Sequence, residues 1–162
     1  GWLYLAVVID LCNRMVVGWA MADHMRASLV VSALSMAHTR GYVAGNRIFH
    51  SDLGSQFTSH EFAQFAANID VRLSCGRKGT CYDNAVAESW FSSLKNERYH
   101  RYSYATRAEA KASVVQYIEA FYNRQRPHSS IDGQIPAEKM DAFFERMAVI
   151  NSNEESMNLL AA

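Results

Sequence analysis

Two carboxylates of this chain have sequence surroundings that favour a metal-dependent reaction. Asp52 lies in the run 50–54 (HSDLG) directly after a predicted strand, and Glu88 lies on the rim of an apolar face of a predicted helix. Acids brought together repel each other unless a divalent cation lies between them. Hard Mg²⁺ prefers such oxygen ligands. We therefore predict a shared metal site, while each residue alone also fits an ordinary role: a turn or cap residue for Asp52, a solvated helix residue for Glu88.

Basic residues near Glu88 favour a polyanionic partner. Ser92 and Lys95 follow Glu88 at i+4 and i+7, so the three share one helical face. A cation two turns from a metal-binding carboxylate is well placed to hold a phosphate backbone. Arg77 and Lys78 precede that helix in a glycine-containing loop, where they are candidates to clamp nucleic acid. Each of these cations taken alone fits a solvated surface equally well.

A second basic run, residues 122–130, carries Arg124 and Arg126. This run fits two interpretations, a phosphate-binding loop or simply the end of a helix. His50, at the end of a predicted strand, is interpreted as a packed or hydrogen-bonded residue rather than a ligand.

The cysteine content excludes two classes of protein. The chain has three cysteines, Cys12, Cys75 and Cys81. This number is small and odd, so a disulfide framework is not expected and a reducing cytoplasm is favoured. Their spacing also lacks the paired ligands of a structural zinc site.

The net charge of zero hides an uneven distribution. Residues 72–101 carry six basic and three acidic residues, and residues 102–131 carry four and two. Residues 132–162 carry two basic and six acidic residues, so an acidic end masks a basic middle. The basic middle is compatible with nucleic-acid binding even though the whole-chain charge is not.

The length and composition indicate one globular domain without a membrane span. The chain has 162 residues, of which 49% are apolar and 20% charged. No window approaches the roughly 18 consecutive apolar residues that a membrane span needs. We predict a core over residues 1–148 and a polar C-terminal tail over 149–162.

The residue pattern predicts a layered α/β domain that opens with a hairpin. Residues 2–9 read as a strand buried on both faces, and residues 15–21 as its hairpin partner. A helix ending near Gly41, a short strand over 47–50 and another over 71–74 follow.

Helix starts are predicted from capping patterns. Thr58 with Glu61 and Thr106 with Glu109 form capping boxes, Asp83 is a further cap candidate, and Pro136 starts the last helix. The helix after Thr106 is predicted to place Tyr117, Ile118 and Phe121, among others, on its apolar face. The last helix is predicted to bury four side chains: Met140, Phe143, Phe144 and Met147.

Four segments, in order, resemble the catalytic core of bacterial insertion-sequence transposases of the "insertion sequence three" type, within the retroviral-integrase-like superfamily. They are GWLYLAVVIDLCNRMVVGW (1–19), HSDLGSQFTS (50–59), RKGTCYDNAVAESWFSSLKNE (77–97) and YNRQRPHSSIDGQIPAE (122–138). Thirty-five residues separate Asp52 from Glu88, as between the second and third acids of that family.

The resemblance implies a ribonuclease-H-like fold, a central mixed sheet flanked by helices. It also implies an aspartate–aspartate–glutamate site that binds two Mg²⁺ or Mn²⁺ ions and transfers a DNA strand without a covalent enzyme intermediate. By match, Asp52 is the second acid, Glu88 the third, and Lys95 a DNA contact. The implied partners are transposon ends, target DNA and further copies of the chain on DNA, in the bacterial cytoplasm and at the nucleoid when acting.

The chain departs from the family pattern at its N-terminus. The family's first acid lies on a strand before the segment that begins at Gly1, and Asp10 matches a strand-turn aspartate instead. We therefore expect a fold that lacks its first strand, and a weak or inactive enzyme as this chain stands. A non-catalytic remnant that keeps the fold and some DNA binding is the alternative. A related nuclease is disfavoured because the match over 122–138 is to transposases in particular.

Overall fold

An antiparallel hairpin and a parallel strand pair form the sheets of the protein. The computed structural model describes residues 1–76 and 84–160, with side chains through residue 153. The strands are β1 (Tyr4–Ile9), β2 (Val16–Ala22), β3 (Arg47–Ser51) and β4 (Val71–Cys75). The helices are α1 (Ala27–Thr39), α2 (His60–Asn68), α3 (Ala85–Glu97), α4 (Arg107–Gln116) and α5 (Pro136–Leu160). Short 3₁₀ turns span Tyr99–Arg101 and Ser129–Ile131, and a π-helical segment spans Tyr117–Tyr122.

The hairpin confirms the opening of the sequence prediction. β1 pairs antiparallel with β2, with a register shift between Val8 and Ile9. Asp10 closes the turn, because its Oδ1 accepts hydrogen bonds from the backbone N–H groups of Cys12 and Asn13, each at 2.9 Å. Asp10 is therefore a turn residue, as its match to the family's strand-turn aspartate predicts.

Both faces of β1 pack against apolar clusters, as its continuous apolar run predicts. Val8 packs in a cluster with α1 and α2, and Val7 contacts a second cluster built on α3 and the π-helical segment. In β2, Gly18 lets the strand approach α1 closely, because a Cβ there would overlap the backbone carbonyl oxygen of Ala33.

The parallel pair β3–β4 is joined through α2, in the order that a strand–helix–strand unit requires. Phe62 of α2 is fully buried and packs edge-on against Phe49 of β3, with ring centroids 5.2 Å apart. The predicted cap of α2 is wrong by one residue. Ser59, not Thr58, accepts the hydrogen bond from the backbone N–H of Phe62, while the Thr58 hydroxyl bonds back to Gly54.

The predicted sheet is present as two separate pairs in the described residues. β1 and β3 each have a hydrogen-bonded neighbour on one side only. The same ranges contain no helix long and apolar enough to cross a membrane.

The second half of the chain differs from prediction at Phe121. Thr106 caps α4 as predicted, accepting from the backbone N–H of Glu109. The helix then widens into the π-helical segment, where the N–H of Asn123 bonds to the carbonyl of Ile118. Tyr117 and Ile118 are buried as predicted, but Phe121 is exposed because the wider turn changes the direction in which later side chains point.

Helix α5 buries less of its apolar stripe than predicted. Met140 is buried beside Asn13, and Phe143 is half-buried. Phe144 and Met147 are exposed, because α5 leaves the body of the domain there and every residue from 145 to 153 is exposed. The helix continues across residue 149 to Leu160.

Candidate active site

The loop after β3 presents Asp52 to solvent. Ser51, the last residue of β3, is buried, and its backbone carbonyl accepts from the N–H of Gly76 beyond β4. The next residue, Asp52, is exposed, and its Oδ1 accepts from the N–H of Gly54 at 2.8 Å. This local turn orients the carboxylate and leaves Oδ2 without a partner in the described residues.

A side chain at position 54 would crowd this carboxylate. A Cβ at position 54 would lie 2.8 Å from Asp52 Oδ1 and 2.6 Å from the side-chain amide of Gln56. The far end of the loop is held by Phe57, whose ring packs against Phe62 and whose N–H bonds to Gly54. The loop therefore fixes Asp52 between a buried strand end and a buried aromatic cluster.

Helix α3 positions Glu88 through its opposite, buried face. Trp90 and Leu94 are buried, and Trp90 contacts the rings of Tyr117 and Tyr122. Because that face is held in the core, Glu88 in the first turn of α3 is exposed. Its carboxylate has no hydrogen-bond or ion-pair partner among the described residues.

Lys95 lies on the same side of α3 as Glu88. Seven residues place it about 10 Å further along the axis and within about 20° around it. Its side chain is exposed and, within the ranges the structure covers, forms no ion pair. This confirms the predicted shared face; contact of Lys95 with DNA stays a prediction.

Several predicted site features lie beyond the structure's reach. Arg77, Lys78, Cys81 and the cap candidate Asp83 fall in residues 77–83, outside the described residues. Within those that are described, no three His, Cys, Asp or Glu side chains form a group that could hold a metal ion. Metal binding by Asp52 and Glu88 stays a prediction.

The donor chemistry of Asp52 and Glu88 fits a hard divalent cation. Both are exposed carboxylates, and in the described part of the chain neither is neutralised by a cation. Carboxylate oxygens with free lone pairs are what Mg²⁺ and Mn²⁺ prefer. Carboxylates of this kind can bind the divalent cations that phosphoryl transfer uses.

The second basic run contains one bonded and one free arginine. Arg126 donates through Nη2 to Glu97 Oε1 at 2.6 Å and through Nε to Oε2 at 2.9 Å, a two-pronged pair. The two side chains are only 23% and 29% exposed. Arg124 is exposed and has no partner in the described ranges. DNA binding by either residue stays a prediction, and for Arg126 it competes with this ion pair.

Burial and the Glu97–Arg126 pair together shift the pKa values of several groups around the pair. Burial by itself raises the pKa of Glu97, but hydrogen bonds from Arg126 and Tyr117 outweigh it and hold that pKa below its ordinary value. Burial and the bond to Glu97 raise the pKa of Tyr117, and burial raises that of Tyr122 to about 12. Burial is the largest cause that lowers the pKa of His128, and the positive charge of Arg126 is the next.

Asn123 has a role that the sequence analysis missed. Its buried side chain accepts from the N–H of Val16 and donates to the carbonyl of Val16, both at 2.9 Å. The run 122–130 is thus clamped to β2. An asparagine side chain has one acceptor and one donor group and can therefore pair with the N–H and C=O of one residue. The local sequence does not identify which residue that is.

His50 behaves as interpreted from the sequence. Its Nδ1 lies 3.1 Å from the Ser74 hydroxyl across the β3–β4 pair.

Family models match most of the chain. A model described as integrase core domain matches residues 1–81, and a second model with the same description matches residues 69–136.

Named relatives are insertion-sequence transposases. The chain is 46% identical over 136 residues to the transposase InsF for insertion sequence IS3A of Escherichia coli (strain K12), covering 84% of this chain and 47% of that protein. It is 39% identical over 136 residues to the transposase for insertion sequence element IS904 of Lactococcus lactis, covering 84% of this chain and 54% of that protein. The chain thus spans about half the length of these relatives.

Solved structures show the same fold at low identity. The catalytic core domain of BIV integrase matches with a TM-score of 0.63 and 18% identity, covering 88% of this chain and 89% of that one. A simian T-cell lymphotropic virus intasome, in complex with the PP2A regulatory subunit B56 gamma, matches with a TM-score of 0.60 and 15% identity, covering 76% and 43%. The predicted ribonuclease-H-like fold class is confirmed by these matches.

Proposed function

The chain belongs to the integrase core domain family, and we propose that it is the DNA-strand-transferring core of an insertion-sequence transposase. One observation carries this proposal. Asp52 and Glu88 are exposed, without a cation partner among the described residues, and each is held by a buried element of the family's fold. Both carboxylates therefore have oxygens available to a divalent cation, at the positions that the family resemblance gives to its second and third acids.

In the proposed reaction, water first attacks the phosphodiester at a transposon end, and the bond to the 3′ oxygen breaks to free a 3′-OH. That 3′ oxygen then attacks a target phosphodiester in line and displaces the 3′ oxygen of the target strand. When bound, two Mg²⁺ or Mn²⁺ ions would activate the attacking oxygen and stabilise the leaving one.

The residues of this chain hold and orient the reactants. Asp52 and Glu88 would hold the ions through their carboxylate oxygens, and the Gly54 N–H keeps the Asp52 carboxylate in one orientation. Lys95, exposed on the face of Glu88, would bind a backbone phosphate of the same strand. Arg77, Lys78 and Arg124 are the further candidate phosphate contacts.

We also propose that the third carboxylate ligand comes from the part of the transposase that precedes Gly1, as the family resemblance implies. Residues 1–162 alone are then expected to bind divalent metal weakly and to turn over poorly, because one anionic ligand is missing. Copies of the protein are expected to assemble on DNA, since two transposon ends must be joined together.

The test is metal-dependent joining of a transposon-end oligonucleotide to a target plasmid by the complete transposase. We expect Asp52→Asn and Glu88→Gln to lower joining by more than about a hundredfold, since even supporting residues of metal sites cost 10–100-fold. Asp141→Asn and Glu145→Gln, exposed acids of α5, are the matched controls and should retain activity. Joining that survives loss of Asp52 or Glu88 would refute the proposal.

The remnant alternative predicts a different result. A complete protein that binds DNA but forms no joined product with Mg²⁺ or Mn²⁺, even with the first acid present, would be a non-catalytic relative that keeps the fold.

A further inference from the structure

A cleft of about 390 Å³ opens between the end of α3 and the π-helical segment. We call it the α3–π cleft; its lining includes Arg98, Arg101, Gln116, Phe121 and Gln125. Its volume falls within the range of roughly 300–1,000 Å³ that is usual for ligand sites. None of these residues takes part in the proposed metal site.

The α3–π cleft is positively charged and has unused donors. Arg101 is exposed and uses only its Nε, which donates to the carbonyl of Asn96, so both terminal amino groups are free in the described residues. Arg98 uses Nε and Nη2 for Ser113 and Gln116 and keeps Nη1. The one acid in the lining, Glu97, is already bonded to Arg126. The cleft is therefore complementary to an anion.

An aromatic ring is exposed in the same place. Phe121 is 41% exposed, because the π-helical segment turns it out of the core. Beside it, the Arg98 guanidinium lies 4.7 Å from the ring centre of Tyr102, itself 54% exposed. Exposed aromatic rings in a positively charged groove are a usual means of binding unpaired bases. Single π turns also occur frequently at functional sites.

The α3–π cleft lies within reach of a strand bound at the metal site. Arg98 follows Glu88 by ten residues, which corresponds to about 15 Å along α3. At about 3.4 Å per nucleotide this is a distance of roughly four nucleotides. Ten residues also turn about 80° around the helix axis, so a strand that passes Lys95 would curve around the end of α3 to enter the cleft.

We propose that the α3–π cleft binds one unpaired nucleotide of the DNA substrate. Arg98 and Arg101 take the phosphate, Phe121 stacks on the base, and the exposed amides of Gln116 and Gln125 bond to its edge. This inference rests on the proposed function, because it takes DNA as the substrate. It adds that the protein prefers an unpaired nucleotide near the end over a fully paired duplex.

The test compares single-stranded and blunt duplex oligonucleotides of one sequence, by fluorescence anisotropy at fixed salt. Phe121→Ala should weaken single-strand binding about five- to tenfold through lost stacking and change duplex binding by less than about twofold. Phe121→Trp should keep single-strand affinity. The matched control is Phe144→Ala, since Phe144 is 43% exposed on α5.

Three results would overturn the inference. One is an equal effect of Phe121→Ala and Phe144→Ala. Another is an equal loss of single-strand and duplex binding in Phe121→Ala. The third is a cleft that binds an acidic peptide of residues 145–160 while Phe121→Ala keeps its single-strand affinity. That result would make the cleft a protein-docking site. In each of these cases the proposed function is still tested separately, by the joining assay with Asp52→Asn. Absence of all DNA binding would overturn both the proposed function and this inference.

Discussion

At the scale of single residues, Arg124 and Arg126 show how two similar side chains of one motif divide between surface and structure. Arg126 is two-thirds or more covered and bonded to Glu97, whereas Arg124 is exposed and free in the described residues. The Tyr117 hydroxyl donates to the same carboxylate at 2.8 Å. The pair therefore joins the end of α3 to the run 122–130 and the π-helical segment.

This difference predicts unequal effects on stability. Arg126→Ala should lower the free energy of unfolding by about 2 kcal/mol, because it leaves a partly buried carboxylate without its charged donor. Arg124→Ala should change it by less than about 0.5 kcal/mol. Urea unfolding followed by circular dichroism measures both. Equal losses in the two variants would contradict the structural role of Arg126.

The lowered pKa of Glu97 predicts a pH dependence. A carboxyl whose pKa is lower in the folded protein stabilises it above the ordinary value of 4.5 and loses this effect as the pH falls through the lowered pKa. At neutral pH, the free energy of unfolding of the wild type should be about 1 kcal/mol higher than that of Glu97→Gln. In urea titrations at decreasing pH, this gap should close below pH 4.5. A gap that stays constant into acid would show that the charge of Glu97 contributes nothing.

At the scale of elements, the junction between β2 and the run 122–130 depends on one amide. Asn123 is buried and satisfies both backbone groups of Val16, residue 16 being the first of β2. β2 in turn packs closely on α1 through Gly18. The amide thus connects the end of the π-helical segment to the hairpin.

Removing this amide should be costly. Asn123→Ala leaves a buried N–H and a buried C=O without partners, at about 1–3 kcal/mol each. We expect a loss of roughly 2–4 kcal/mol in the free energy of unfolding, measured by urea denaturation. Asn96→Ala is the control, because Asn96 is exposed on α3. A loss below about 1 kcal/mol in Asn123→Ala would mean that water or another group replaces the amide.

Most elements follow from local pattern, and the exceptions have local or long-range causes. The hairpin, β3, β4 and the Thr106 cap are confirmed because apolar periodicity and capping are short-range signals. Thr58 and Ser59 both carry a hydroxyl group, so the sequence pattern alone does not show which of them caps α2. Phe121 is exposed because a π turn interrupts the helical period.

The candidate site was predictable only in part. The positions of Asp52 and Glu88 at element ends follow from local sequence, and their 35-residue separation carries the family resemblance. The ion pair of Arg126 joins residues 29 apart, and the clamp of Asn123 spans 107. Such partners depend on tertiary packing and are invisible to local spacing.

At the scale of the whole molecule, the charge distribution separates a basic middle from an acidic end. Residues 72–131 carry ten basic and five acidic residues, while residues 132–162 carry two and six. Four of the six acids of this end are described, and Asp132, Glu138, Asp141 and Glu145 are all exposed. The neutral chain can therefore still present a basic face to DNA.

Salt dependence tests this view. Lys95→Ala should weaken DNA binding about equally for all sequences and reduce the slope of log K against log salt by about one, because it removes one phosphate contact. Lys139→Ala, on α5 within the acidic end, should leave the slope unchanged. Anisotropy titrations across a range of salt concentrations give both slopes. An unchanged slope in Lys95→Ala would exclude Lys95 from the phosphate-binding surface.

The most direct test of the metal site is the anomalous signal of Mn²⁺ in a crystal of this chain soaked at high Mn²⁺ concentration. We predict a Mn²⁺ ion bound at Asp52, with the Glu88 carboxylate close enough to share a metal. Mn²⁺ bound away from both carboxylates, or carboxylates held far apart on a well-ordered α3, would contradict the proposed site.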